Sequence, residues 1–104
     1  MNIWAINKDL SIKLFLIELV NCYGENTFSL LENPDQFKAV EVYLSNYPNL
    51  SAYIYTFAQP VDKYAIDLKY PFPENNIIGE NENLSLEQLI SVCDIHFELT
   101  EFAP

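Results

Sequence analysis

The sequence predicts an α+β domain in which about three helices pack on a three- or four-stranded, mostly antiparallel sheet. Three observations carry this. Residues 10–23 are apolar almost all round and stop at Gly24, the pattern of a largely buried helix closed by a C-terminal glycine. Residues 51–58 and 64–70 alternate with period two on either side of Gln59-Pro60, as the strands of a hairpin do. Ser85-Leu86-Glu87-Gln88 has the spacing of a capping box at the head of a further helix. With 104 residues, 50% of them hydrophobic, including 7 Tyr, 7 Phe and 1 Trp, the chain has material for one core, and residues 1–104 are expected to form a single domain.

Taken in order, Ile3-Trp4-Ala5-Ile6 reads as a short first strand ending at Asn7-Lys8-Asp9. Asp9 suits the N-cap of the first helix, whose polar positions Ser11, Glu18, Asn21 and Glu25 fall on one narrow stripe. The segment Thr27 to Glu32 is ambiguous between a strand and a helical turn. Asn33-Pro34-Asp35 supplies a cap, a first-turn proline and a first-turn acid, predicting a second helix from about Pro34 to Asn46. Its apolar stripe is Phe37, Val40, Tyr43/Leu44 and Tyr47, and Tyr47-Pro48-Asn49 ends it. In the hairpin, Tyr53, Tyr55 and Phe57 share one face and Ala52, Ile54 and Thr56 the other; on the partner strand Tyr64, Ile66, Leu68 and Tyr70 oppose a half-exposed set of Lys63, Ala65, Asp67 and Lys69. Residues 71–83 hold breakers and acids around Ile77-Ile78 and read as a long loop. A short helix runs from the Ser85 cap through Cys93, after which Ile95, Phe97 and Leu99 alternate with His96, Glu98 and Thr100 as a last strand.

The charge is one-sided. There are 15 acidic residues against 5 Lys and no Arg, a net of −10. Residues 1–70 carry eight acids and all five lysines, a net of −3, whereas residues 71–104 carry seven acids and no lysine, a net of −7. Such a field repels phosphate backbones and steers cationic partners in, so direct nucleic-acid binding is disfavoured both by sign and by the missing Arg. No apolar run approaches the roughly 20 residues of a membrane span. The N-terminus lacks the basic start and cleavage pattern of a secretory signal, which favours a cytoplasmic location.

Chemical motifs are sparse. Cys22 and Cys93 are far apart, with neither metal-ligand nor dithiol spacing, and are expected as buried reduced thiols. His96, the single histidine, falls on the polar side of the predicted last strand beside Glu98 and has no Ser, Cys or Asp motif pointing to it, so a surface role is expected. Gly79-Glu80-Asn81-Glu82 does not have the spacing of a calcium loop. Gly24 and Gly79, the only glycines, belong to no phosphate-binding loop. The expectation is a binding protein and not an enzyme, with no cofactor and no metal.

Tyr23-Gly24-Glu25-Asn26-Thr27-Phe28-Ser29-Leu30-Leu31-Glu32 resembles the inhibitory segment of the barstar family, intracellular inhibitors of a secreted ribonuclease. The resemblance implies that Tyr23 and Gly24 form a turn, that Asn26 starts an inhibitory helix, and that Glu32 takes the place of the acid that plugs the nuclease's phosphate site. It also implies, as an alternative fold, an α/β layer with a small parallel sheet. Phe28 stands where that family has an acid, and Asn33-Pro34 would end the inhibitory helix early. A carboxylate replacing a substrate phosphate is physically sensible, because the cationic site is built for such an anion.

Together these readings lead to an expected function. The chain is a bacterial immunity or inhibitor protein that neutralises a basic toxin, with a nuclease as the favoured class, by occluding its active-site cleft with acidic residues. The expected contact residues are Tyr23, Glu25, Asn26, Phe28, Glu32, Glu74, Glu80, Glu82 and Glu87. An acidic adaptor subunit or a nucleic-acid mimic without a toxin partner is the alternative.

Overall fold

In the computed structural model, which describes residues 2–31 and 36–99, the chain runs through helix α1 (Leu10–Tyr23), strands β1 (Phe28–Leu31), β2 (Ala39–Leu44), β3 (Tyr47–Tyr55), β4 (Tyr64–Lys69) and β5 (Ile77–Leu84), and helix α2 (Leu86–His96). Single 3-10 turns lie at Ile3–Ala5 and Pro73–Asn75. The five strands form one sheet in chain order, each antiparallel to the next. The class is α+β, with the expected hairpin, now β3 and β4, at the middle of the sheet.

Both helices lie on the same face. Ile12, Phe15, Leu16 and Leu19 of α1 and Leu89 and Cys93 of α2 share one core with Val40, Val42, Leu44, Ala52, Ile54, Ile66 and Leu68 of the strands. The period-two alternation of β2, β3 and β4 puts these strand residues on one side, and burial of their apolar surface is the main force holding the two layers together. Tyr64 ties the layers further by donating its hydroxyl to the carbonyl of Ser11 at 2.8 Å. Among the described residues, no helix is long and apolar enough to cross a membrane.

Local signals hold where they depend on neighbours in the chain. Gly24 closes α1 at φ 91°, a conformation other residues adopt reluctantly. Ser85 and Gln88 form the reciprocal capping box of α2, at 3.1 and 2.9 Å. Asp9 occupies the N-cap position and its backbone carbonyl accepts from the Lys13 amide at 3.0 Å, but its side chain does not cap the helix; the carboxylate accepts from the Thr56 hydroxyl instead, at 3.1 Å.

Several expectations are corrected. The helix predicted over 34–46 is strand β2 in its described part: Val40, Val42 and Leu44 alternate with Glu41 and Tyr43, and pairing to β1 and β3 outweighs the start signal at Asn33-Pro34-Asp35, three residues that lie outside the described ones. Tyr47-Pro48-Asn49 opens β3, where a register shift between Tyr43 and Leu44 accommodates the proline. Most of β5 falls within the predicted loop 71–83; it is a polar edge strand whose irregular pairing coincides with left-handed Gly79 and Asn83. Ile3–Ala5 is a 3-10 turn, not a strand. At the end of the chain, α2 continues through His96 and a turn follows, so Ile95 is 78% exposed while Phe97 is fully buried. A strand would have put both side chains on one face; Thr100 lies outside the described residues. The sheet is antiparallel throughout, unlike the parallel sheet of the alternative fold.

Candidate functional site

The face of the sheet turned away from the helices carries a concentrated set of side chains. Register across β2, β3 and β4 arranges them in rows: Ala39, Tyr55 and Ala65; then Glu41, Tyr53 and Asp67; then Tyr43, Ser51 and Lys69. Down the centre run Tyr53, Tyr55 and Phe57, with ring centroids 5.7 Å apart for the first pair and 4.5 Å apart, nearly parallel, for the second. Ala39 and Ala65 have no bulk beyond Cβ, so Tyr55 settles between them and is only 8% exposed on a face that no described helix covers. Tyr53 packs beside this small cluster.

Polar atoms on this face remain available. Neither the Tyr53 nor the Tyr55 hydroxyl has a hydrogen-bond partner among the described residues, and neither counts among the buried unpartnered atoms. Covered rings with free hydroxyls are the form in which tyrosine anchors an interface. Burial, together with Asp67 and Glu41, pushes the Tyr53 phenol up against the opposing influence of Lys69. Burial, then Asp67 and Glu82, pushes up Tyr55. Both therefore stay protonated donors at neutral pH.

Lys69 is the cation of this face. It reaches diagonally across β3 to Glu41, at 2.7 Å, and its ammonium stands 5.7 Å from the centre of the Tyr53 ring. Glu41 uses Oε1 for that pair, and Asp67 uses Oδ1 to accept from the Gly79 amide at 2.9 Å. The other oxygen of each carboxylate has no partner among the described residues. Two more lysines are committed elsewhere, Lys8 to the Gln36 carbonyl and Lys13 to the Trp4 carbonyl.

No protein-family model, curated protein or solved structure matches this chain. The chemistry of its surfaces is therefore the ground for a functional reading.

The residues expected from the sequence to make contact are dispersed. Tyr23 ends α1 and donates to Asp94 of α2 at 3.1 Å; burial, and then this bond to Asp94, push its phenol up to about 12. Phe28 lies edge-on to Tyr23, but it is buried at 7% exposure against Phe97 and belongs to the core. Glu25 and Asn26 are exposed in the turn after α1, which leads into strand β1 and not into a helix. Glu32 lies outside the described residues. Glu74 is exposed in the second 3-10 turn, Glu80 and Glu82 on edge strand β5, and Glu87 at the head of α2. Glu87 shares a 380 Å³ groove with Glu18, Leu86, Ile90 and Ser91 on the helix side. Of the described members of this set, only Glu82 acts on the tyrosine face, through its effect on Tyr55.

His96 corrects its expectation fully. It is buried, with Nε2 2.7 Å from the Ser51 carbonyl and Nδ1 without a hydrogen-bond partner among the described residues. Burial depresses its pKa below the usual histidine value, and the Ser51 and Lys69 carbonyls oppose that shift. Cys93 is buried, its thiol pushed up to about 12 by burial and then Asp94, whereas Cys22 is exposed, contrary to expectation. Among the described residues no group of three His, Cys, Asp or Glu could hold a metal.

Proposed function

We propose that this chain is a binding protein for a basic protein partner and acts as an immunity or inhibitor protein, laying a surface of tyrosines and carboxylates over the partner's cationic cleft in the cytoplasm. A toxin nuclease is the favoured partner class, since its phosphate-binding cleft has the complementary charge. The observation that carries the reading is Tyr53 set between Glu41 and Asp67, with two open phenols and a lysine already resting there. The −10 net charge adds long-range steering to that local site. Catalysis has less support, because His96, the single histidine, is buried and bonded to a backbone carbonyl.

The test is affinity capture with the intact protein at about 50 and about 500 mM salt, identification of the captured chain, and assay of that chain's nuclease activity with and without the protein. The expected partner is basic, is released by salt, and loses its activity on binding. An acidic or neutral partner held equally well at both salts would overturn the proposal. A basic partner whose activity is untouched would favour the adaptor alternative.

A further inference from the structure

The geometry points to a specific occupant for the open sheet face: Tyr53, Glu41 and Asp67 form a receptor for an arginine side chain of the partner, and Lys69 is an internal stand-in that the incoming guanidinium displaces. This deepens the partner-binding reading and rests on it.

The receptor has the three parts a guanidinium requires. The first is an aromatic surface, supplied by Tyr53 in the middle of the sheet. The second is carboxylate oxygen on either side of that ring, because Glu41 and Asp67 are its cross-strand neighbours on β2 and β4. One oxygen of each is unpartnered among the described residues, as set out above. The third is adjoining phenol oxygen, from Tyr53 and Tyr55, able to accept as well as donate.

Lys69 fills this site incompletely. Its ammonium bonds one oxygen of Glu41 and stands 5.7 Å from the ring centroid, near the outer limit of about 6 Å for a useful cation–π contact. The Lys69 side chain is 38% exposed, so it has solvent to retreat into. An ammonium is a compact, strongly hydrated point charge. A guanidinium is planar, less hydrated, stacks on an aromatic ring and meets a carboxylate with two parallel bonds. These 104 residues hold no arginine, and the partner supplies that group.

The test uses hexa-arginine and hexa-lysine peptides as probes against the full chain, read by NMR of the Tyr53 and Tyr55 ring protons. Hexa-arginine is expected to shift both rings and to bind more tightly than hexa-lysine by about threefold or more. Lys69→Met is expected to strengthen hexa-arginine binding by about threefold or more, while Lys63→Met, which removes the same charge from the β3–β4 turn, changes it by less than about twofold. Tyr53→Leu and Glu41→Gln should each weaken it by about tenfold. The inference is overturned if Lys69→Met weakens binding or matches Lys63→Met, if the two peptides bind equally, or if the shifts fall on the Glu18 and Glu87 groove instead. In those cases a salt-sensitive basic partner, indifferent to Tyr53→Leu, would leave the inhibitor reading standing.

Discussion

Truncating Phe97 and Ile95 separately is a sharp test of how the chain ends. Phe97 is fully buried, with its ring 5.0 Å from Phe28 at the start of β1 and 4.7 Å from His96. Phe97→Ala should cost about 3–5 kcal/mol, the lost transfer energy plus the cavity left between α2 and the sheet. Against a total of roughly 5–15 kcal/mol for a domain of this size, that is a large fraction. With a urea slope near ~1.5 kcal/mol per M, the midpoint should fall by about 2–3 M. Ile95 is 78% exposed on the outer side of α2, so Ile95→Ala should stay within about 0.5 kcal/mol of the wild type. The assay is equilibrium urea unfolding followed by far-ultraviolet circular dichroism. A strand through residues 95–99 would align both side chains, so comparable destabilisation by the two substitutions would refute the helix-and-turn ending.

Other outcomes follow from single features. Burial keeps His96 neutral in the native state, so below its ordinary value near 6.5 the unfolded chain takes up a proton that the native chain does not. Stability should therefore fall as pH drops from 6.5 toward the lower native value, and His96→Gln should flatten that slope in unfolding curves collected between about pH 7 and about pH 5; equal slopes would remove His96 as the cause. Ala58 sits at φ 58°, a left-handed conformation that disfavours alanine, so Ala58→Gly should stabilise by about 0.5–1 kcal/mol in the same assay. In native protein a thiol reagent should modify the exposed Cys22 and spare the buried Cys93, which reacts only once denaturant unfolds the chain; rapid native labelling of Cys93 would contradict the packing of α2. Ser85→Ala removes one half of the capping box and leaves the Ser85 amide to Gln88, and should cost about 1 kcal/mol by thermal unfolding.

Little of the candidate site was legible from residues alone, although its ingredients were. The alternation of Tyr53, Tyr55 and Phe57 and the half-exposed set of Ala65, Asp67 and Lys69 were both readable. What joins them is register: Tyr53 opposite Asp67 in the hairpin implies that the tyrosines share the face of the charged set. The acids chosen for their number in the last third are instead spread over a 3-10 turn, an edge strand and the head of α2, because clustering along the chain does not bring side chains to one surface.

Features whose partners lie within a few residues could be read directly from the chain: the glycine stop of α1, the capping box of α2, and the alternation of β3 and β4. Backbone conformation and nearby hydrogen bonds decide these, and neither needs a distant contact. Tertiary structure alone decided that residues 39–44 pair as a strand, that β5 adds a polar edge, and that His96 and Phe97 turn inward. It also decided which side of β3 meets the helices. Ala52 and Ile54 present the shape that the helices can pack against, which leaves Tyr53 and Tyr55, the larger and partly polar rings, on the open face where their hydroxyls keep access to solvent.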